Sequence, residues 1–127
     1  MNEKDNKNKP NPLKDKSFQF ALRVIQLYKF LTELKREFIM SKQLLRSGTS
    51  IGANIREGQN AQSKADFIHK FSIAQKECDE TLYWIELLHQ ADFLEEKEFK
   101  AIHNDANELL KMLRSSILTT KQNIHHS

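Results

Sequence analysis

All three glycines of this 127-residue chain, Gly48, Gly52 and Gly58, fall in one short stretch, Arg46-Ser47-Gly48-Thr49-Ser50-Ile51-Gly52-Ala53-Asn54-Ile55-Arg56-Glu57-Gly58. Outside it the chain carries few helix breakers, with only two prolines and 39% hydrophobic residues. Such a composition suits long helices. Inside a helix each glycine costs about 1 kcal/mol relative to alanine, so Gly48 and Gly52, one turn apart, need a reason. One reason is a backbone or side chain from a neighbouring helix that comes too close for anything larger. The other is a groove for a ligand or partner. Beside that groove Arg46, Ser50, Asn54 and Glu57 follow at spacings of four, four and three, which puts them on one stripe. A phosphate loop is a weak rival, because no G-x-x-x-x-G-K-[ST] occurs and no strand precedes the stretch.

The apolar pattern predicts an all-α, antiparallel up-and-down four-helix bundle over residues 16–122. The first helix spans about 16–37. Its seam of Phe20, Val24, Leu27, Leu31 and Leu34 alternates spacings of four and three. A second apolar line, Phe18, Ala21, Leu22, Ile25 and Tyr28, exceeds what one buried face needs, and points to contact with another copy of the chain; the alternative is that its aromatic residues merely lie half exposed. The break to the second helix is the weakest boundary, since no Gly or Pro marks it. Ser41 is a candidate N-cap there, with Met40 packing on Leu45, and one continuous helix is the alternative. The second helix spans about 41–60. The third, about 64–91, opens on Ser63 and carries Phe67, Phe71, Ala74, Cys78, Ile85 and Leu88, with Thr81 or Leu82 filling the gap. The fourth, about 95–119, carries Phe99, Ile102, Ala106, Leu109, Leu113 and Ile117. Residues 1–15 are too polar to bury surface and are expected to form a flexible arm. Residues 123–127 are expected to fray.

Several chemistries find no support. Di-iron bundles need Glu-x-x-His on two separate helices. Here Asp66-x-x-His69 and Glu86-x-x-His89 lie on one helix, about 30 Å apart at 1.5 Å per residue. No metal, cofactor or catalytic residue is assigned. The single cysteine, Cys78, lies on the core stripe and reads as a small buried residue rather than a nucleophile. It excludes an internal disulfide and suits a reduced, cytoplasmic setting. The N-terminus has no secretory signal, and no apolar run is long enough to span a bilayer.

The net charge of +3 is unevenly spread. Residues 17–63 carry seven basic and three acidic groups, whereas residues 64–94 carry three basic and six acidic groups. That division fits pairing between helices or subunits. Glu80 is the carboxylate expected to pair with Arg46 or another second-helix donor.

The series R-S-x-x-S-I-x-x-N-I-x-E-G, here Arg46, Ser47, Ser50, Ile51, Asn54, Ile55, Glu57 and Gly58, resembles the signature of the four-helix-bundle family of 23S rRNA intervening-sequence proteins. The likeness runs on through Phe67, Phe71 and Ala74 to Glu80, and covers about Phe18 to Leu118. Members are small, all-helical and form rings, typically pentamers, and their genes can lie in insertions within large-subunit rRNA genes. They are also similar to the accessory protein of diversity-generating retroelements, a basic pentamer that binds nucleic acid. The resemblance implies a non-enzymatic homo-oligomer, with a pentamer favoured. RNA or DNA would be met by basic groups of the first two helices: Arg23, Lys29, Lys35, Arg36, Lys42, Arg46 and Arg56. The alternative is a protein–protein adaptor whose partner enters the Gly48/Gly52 groove beside the polar stripe.

Overall fold

The computed structural model describes residues 10–126, with side chains described as far as Asn123. Four helices make up the fold: α1 (Pro12–Glu33), α2 (Met40–Gln59), α3 (Lys64–Gln90) and α4 (Glu96–His126). Short turns make chain neighbours antiparallel. Each helix packs on the next, and α4 closes onto α1 along the thinnest of the four seams. This is an all-α, up-and-down four-helix bundle.

The ends of the helices differ from expectation. Of the arm expected over 1–15, residues 1–9 lie outside the described residues, and the helix begins at Pro12 rather than near residue 16. Asn11 is its N-cap, accepting from the Lys14 N–H at 3.3 Å, and Pro12 occupies the first helical position, where its missing N–H is harmless. Leu13 and Ser17 are buried as a result. At the other end α4 runs to His126 instead of stopping near 119, because no Gly or Pro interrupts it and Ile117 is still held in the core. The backbone over 123–126, expected to fray, continues the helix, and Ser127 lies outside the described residues.

The break between α1 and α2 is real and falls at 34–39, so a continuous helix is excluded. α1 ends at Glu33, which leaves Leu34 outside the seam and 73% exposed. Arg36 turns the chain with a φ of 56°, a left-handed conformation rare for a side-chain-bearing residue. Ser41 is not the N-cap of α2. Glu37 does that work from outside the helix: its carboxylate accepts from the backbone N–H groups of Ile39 (3.1 Å), Met40 (3.0 Å) and Ser41 (2.7 Å). The Ser41 hydroxyl donates back to the Glu37 carbonyl oxygen at 2.7 Å. Burial pulls the Glu37 pKa up, but these N–H donors outweigh it and hold it below the ordinary carboxylate range. The turn between α3 and α4 has a similar left-handed residue, Asp92, with Phe93 N–H bonded to the Leu88 carbonyl in a Schellman arrangement.

α2 comes close to its neighbours, and its small residues explain why. A Cβ on Gly48 would stand 2.8 and 2.9 Å from the two methyls of Val24 on α1. A Cβ on Gly52 would meet Ser17 at 3.3 Å, and one on Gly58 would meet the Phe71 ring of α3 at 2.5 Å. On the α3 side Ser47 Oγ lies 2.9 Å from Thr81 Oγ1, a fully buried hydroxyl pair. The remaining core is aliphatic, built from Val24, Leu31, Leu44, Ile51, Ile55, Ile85, Leu88, Ile102, Leu109 and Leu113.

Candidate functional site

The polar stripe of α2 lies along the α2–α3 junction. Arg46 reaches Glu77 at 3.0 Å and also Glu80, both on α3. Ser50 donates to the Arg46 carbonyl at 2.6 Å, and Asn54 to the Ser50 carbonyl at 2.9 Å. Glu57 pairs with Lys70 at 3.3 Å. The stripe therefore directs several of its donors to its own backbone and to α3, which ties α2 to its neighbour. The notch beside it is filled by Val24 and Ser17, so the adaptor alternative has no cavity to enter.

Several titratable groups of α3 and α4 are also engaged. Glu86 meets His103 at 3.0 Å and His89 meets Glu96 at 2.8 Å, with the Phe99 ring stacked on His89 at 3.9 Å. These pairs tie α3 to α4. No cluster of three metal-ligating side chains occurs among the described residues. Cys78 is buried with its Sγ 3.2 Å from the Ala106 carbonyl oxygen. Burial, helped by the charge of Asp79, pushes its thiol up to about 12, so it carries no thiolate at neutral pH.

The seven basic residues expected at a nucleic-acid surface divide into two sets. Arg23 is held across the α1–α4 seam by Asp105 at 2.9 Å and Glu98 at 3.4 Å, and Arg46 is held by α3. Both were expected at a nucleic-acid surface, and neither has a free guanidinium. Lys29, Lys35, Arg36, Lys42 and Arg56 are exposed, and no carboxylate pairs with them among the described residues. Three of these five lie over exposed phenylalanine rings: Lys35 over Phe30 at 5.7 Å, Arg36 over Phe38 at 5.9 Å and Arg56 over Phe18 at 5.2 Å.

Two apolar features were not resolved by the sequence pattern. The first is the turn at 34–39, where Phe38 and Ile39 are 56% and 78% exposed beside Leu34. A run of large apolar residues between two helices was the available signal. The second is a groove of about 1210 Å³ between α1 and α4, with Phe20, Leu27 and Leu94 among its lining and the Arg23 ion pairs at its edge. Lys16 and Glu108 pair across the same seam; that bond raises the Lys16 pKa and lowers that of Glu108. Next to the groove, the outer face of α1 exposes Phe18 and Leu22, with Ile25 half-buried. No described helix is long and apolar enough to cross a membrane.

No curated protein sequence matches the chain. Among solved structures, it is similar to a protein of unknown function from the S23 ribosomal protein family of Bacteroides thetaiotaomicron. The two share 55% identity and superpose with a TM-score of 0.82, over 83% of this chain and 97% of that one. The sequence model of the 23S rRNA-intervening sequence proteins matches residues 11–115, which takes in all of α1, α2 and α3 and most of α4. With that match and the bundle it predicts, the chain belongs to the family of 23S rRNA-intervening sequence proteins.

Proposed function

We propose that this protein is a non-enzymatic, cytoplasmic homo-oligomer, a ring of five copies by likeness to its family, that contacts nucleic acid through α1, α2 and the turn between them. The observation that carries the reading is the cluster of unpaired cations around the exposed apolar turn between α1 and α2. Four of them, Lys29, Lys35, Arg36 and Lys42, are unpaired among the described residues and gather at the α1–α2 end of the fold, while Arg56, also unpaired, lies near the far end of α2 over Phe18. Of the acidic groups of α3, Glu77 and Glu80 are taken up by Arg46 and Glu86 by His103. Unpaired cations gathered in this way are what a phosphate backbone selects. The exposed line of α1, with Phe18 and Leu22, supplies the apolar surface for contact between copies.

Binding of a labelled RNA fragment across a salt series tests this. Affinity should fall as salt rises, with a log–log slope of about −3.5 to −4.5 if all five cations meet phosphates. Lys29→Ala or Lys42→Ala should make the slope shallower by about 0.7–0.9, whereas Arg23→Ala should leave it unchanged. No binding at low ionic strength would remove the reading. Sedimentation of the same sample as a lone monomer would remove its oligomeric half.

A further inference from the structure

We infer that the nucleic acid bound by this protein is single-stranded, and that its unpaired bases stack on Phe38 and Phe30 at the α1–α2 end of the bundle. The inference rests on the nucleic-acid reading above and narrows it to one class of ligand and one end of the fold.

Phosphate contact alone would ask for lysines and arginines on a polar surface. This end offers something more. Leu34, Phe38 and Ile39 are left bare in a turn, where polar residues are the rule. Their neighbours Lys29, Lys35, Arg36 and Lys42 are cationic and exposed. Of the two acids between residues 29 and 42, Glu33 is exposed and Glu37 has its carboxylate occupied by three backbone N–H groups. The surface is therefore apolar and positive together, which selects an anionic partner with flat apolar faces. Unstacked bases on a phosphate chain have that chemistry. A duplex does not, since its bases face one another and offer only edges and backbone.

The rings are also set up for it. Phe38 and Phe30 each carry a cation over one face while remaining accessible. A ring paired with a guanidinium or ammonium is the unit on which single strands stack, each base contributing without regard to its identity. The turn bearing Phe38 is held by the Glu37 hydrogen bonds and by the left-handed Arg36, so little order has to be gained when a strand arrives.

The test uses the full-length assembled protein with a labelled oligouridine strand and a blunt RNA duplex of equal length, at matched ionic strength. The single strand should bind more tightly. Phe38→Leu keeps the apolar bulk and removes the aromatic face. It should weaken single-strand binding by about 5- to 150-fold, leave the salt slope and duplex binding unchanged, and keep the sedimentation coefficient. Phe38→Trp should bind at least as well as the parent, and serves as the second variant if Phe38→Leu folds poorly. Duplex binding as tight as single-strand binding, or an unaltered affinity in Phe38→Leu, overturns the inference and leaves the broader reading standing. Dissociation of the oligomer by Phe38→Leu also overturns it, assigning the tip to a second copy. So does a Phe38-dependent attachment to phosphatidylserine vesicles with no change for RNA. Failure of either RNA to bind at low salt removes the broader reading and the inference with it.

Discussion

Phe71→Ala should lower the thermal midpoint by about 12–20 °C, the largest effect of any single change considered for this fold. Phe71 is 2% exposed and its ring centroid lies 4.0 Å from that of Phe67. Truncating a buried phenylalanine costs about 3–5 kcal/mol. In a domain of this size each kcal/mol moves the midpoint by roughly 4 °C. The same ring is the reason for Gly58, so the two positions should be strongly coupled. Gly58→Ala alone gains some helix propensity but drives a methyl into the Phe71 ring, and overpacking of this kind costs about 1–3 kcal/mol. In the Phe71→Ala background that obstacle is gone, and the same substitution should become neutral or stabilising. Chemical denaturation of the four proteins would read the coupling as a departure from additivity of at least about 1 kcal/mol. Additive single effects would show that Phe71 does not dictate the glycine.

Glu37→Ala should cost about 2–3 kcal/mol at neutral pH, and Glu37→Gln about 1–2 kcal/mol, since an amide oxygen keeps part of the acceptor capacity. Three N–H groups at the start of α2 lose a charged acceptor, and that of Ser41 is buried where water cannot replace it. The effect should depend on pH in a definite direction. The carboxylate pKa is lower in the folded protein than the ordinary value of 4.5. Its stabilisation is therefore present in full above about 4.5 and is lost as pH falls through the lower, folded value. Urea midpoints at pH 7 should separate the parent from Glu37→Gln, and at pH 3 the gap should narrow. An equal gap at both pH values would mean that the charge of the carboxylate is not what holds the turn.

Much of the bundle was legible because helical packing is written in local spacing. Phe20, Val24, Leu27 and Leu31 on α1 are buried as their seam requires, as are Phe71, Ala74, Cys78, Ile85 and Leu88 on α3. The gap on α3 is filled twice, by Thr81 and by Leu82. Leu34 shows the limit. It keeps the period, yet the helix has ended before it, because a left-handed Arg36 and the Glu37 carboxylate stop the chain without any Gly or Pro to announce them. The start of α1 was announced, by Asn11-Pro12, but the polar composition around it obscured the signal. Pairing across helices is the part that spacing does not encode. Arg23 meets carboxylates 75 and 82 positions later, a match fixed by how α1 and α4 slide past each other. So of seven cations that looked alike in sequence, two proved to be internal ties.

The four seams of this bundle are not equal, and the inequality gives the molecule a spine and a fore-edge. Along the spine, α2 is wedged so near to α1 and α3 that parting them opens vacuum against methyls and rings. Along the fore-edge, α1 and α4 are joined across a groove by ion pairs that added salt weakens. Local opening should therefore begin at that edge, with α4 lifting from α1 like a cover while the spine stays shut.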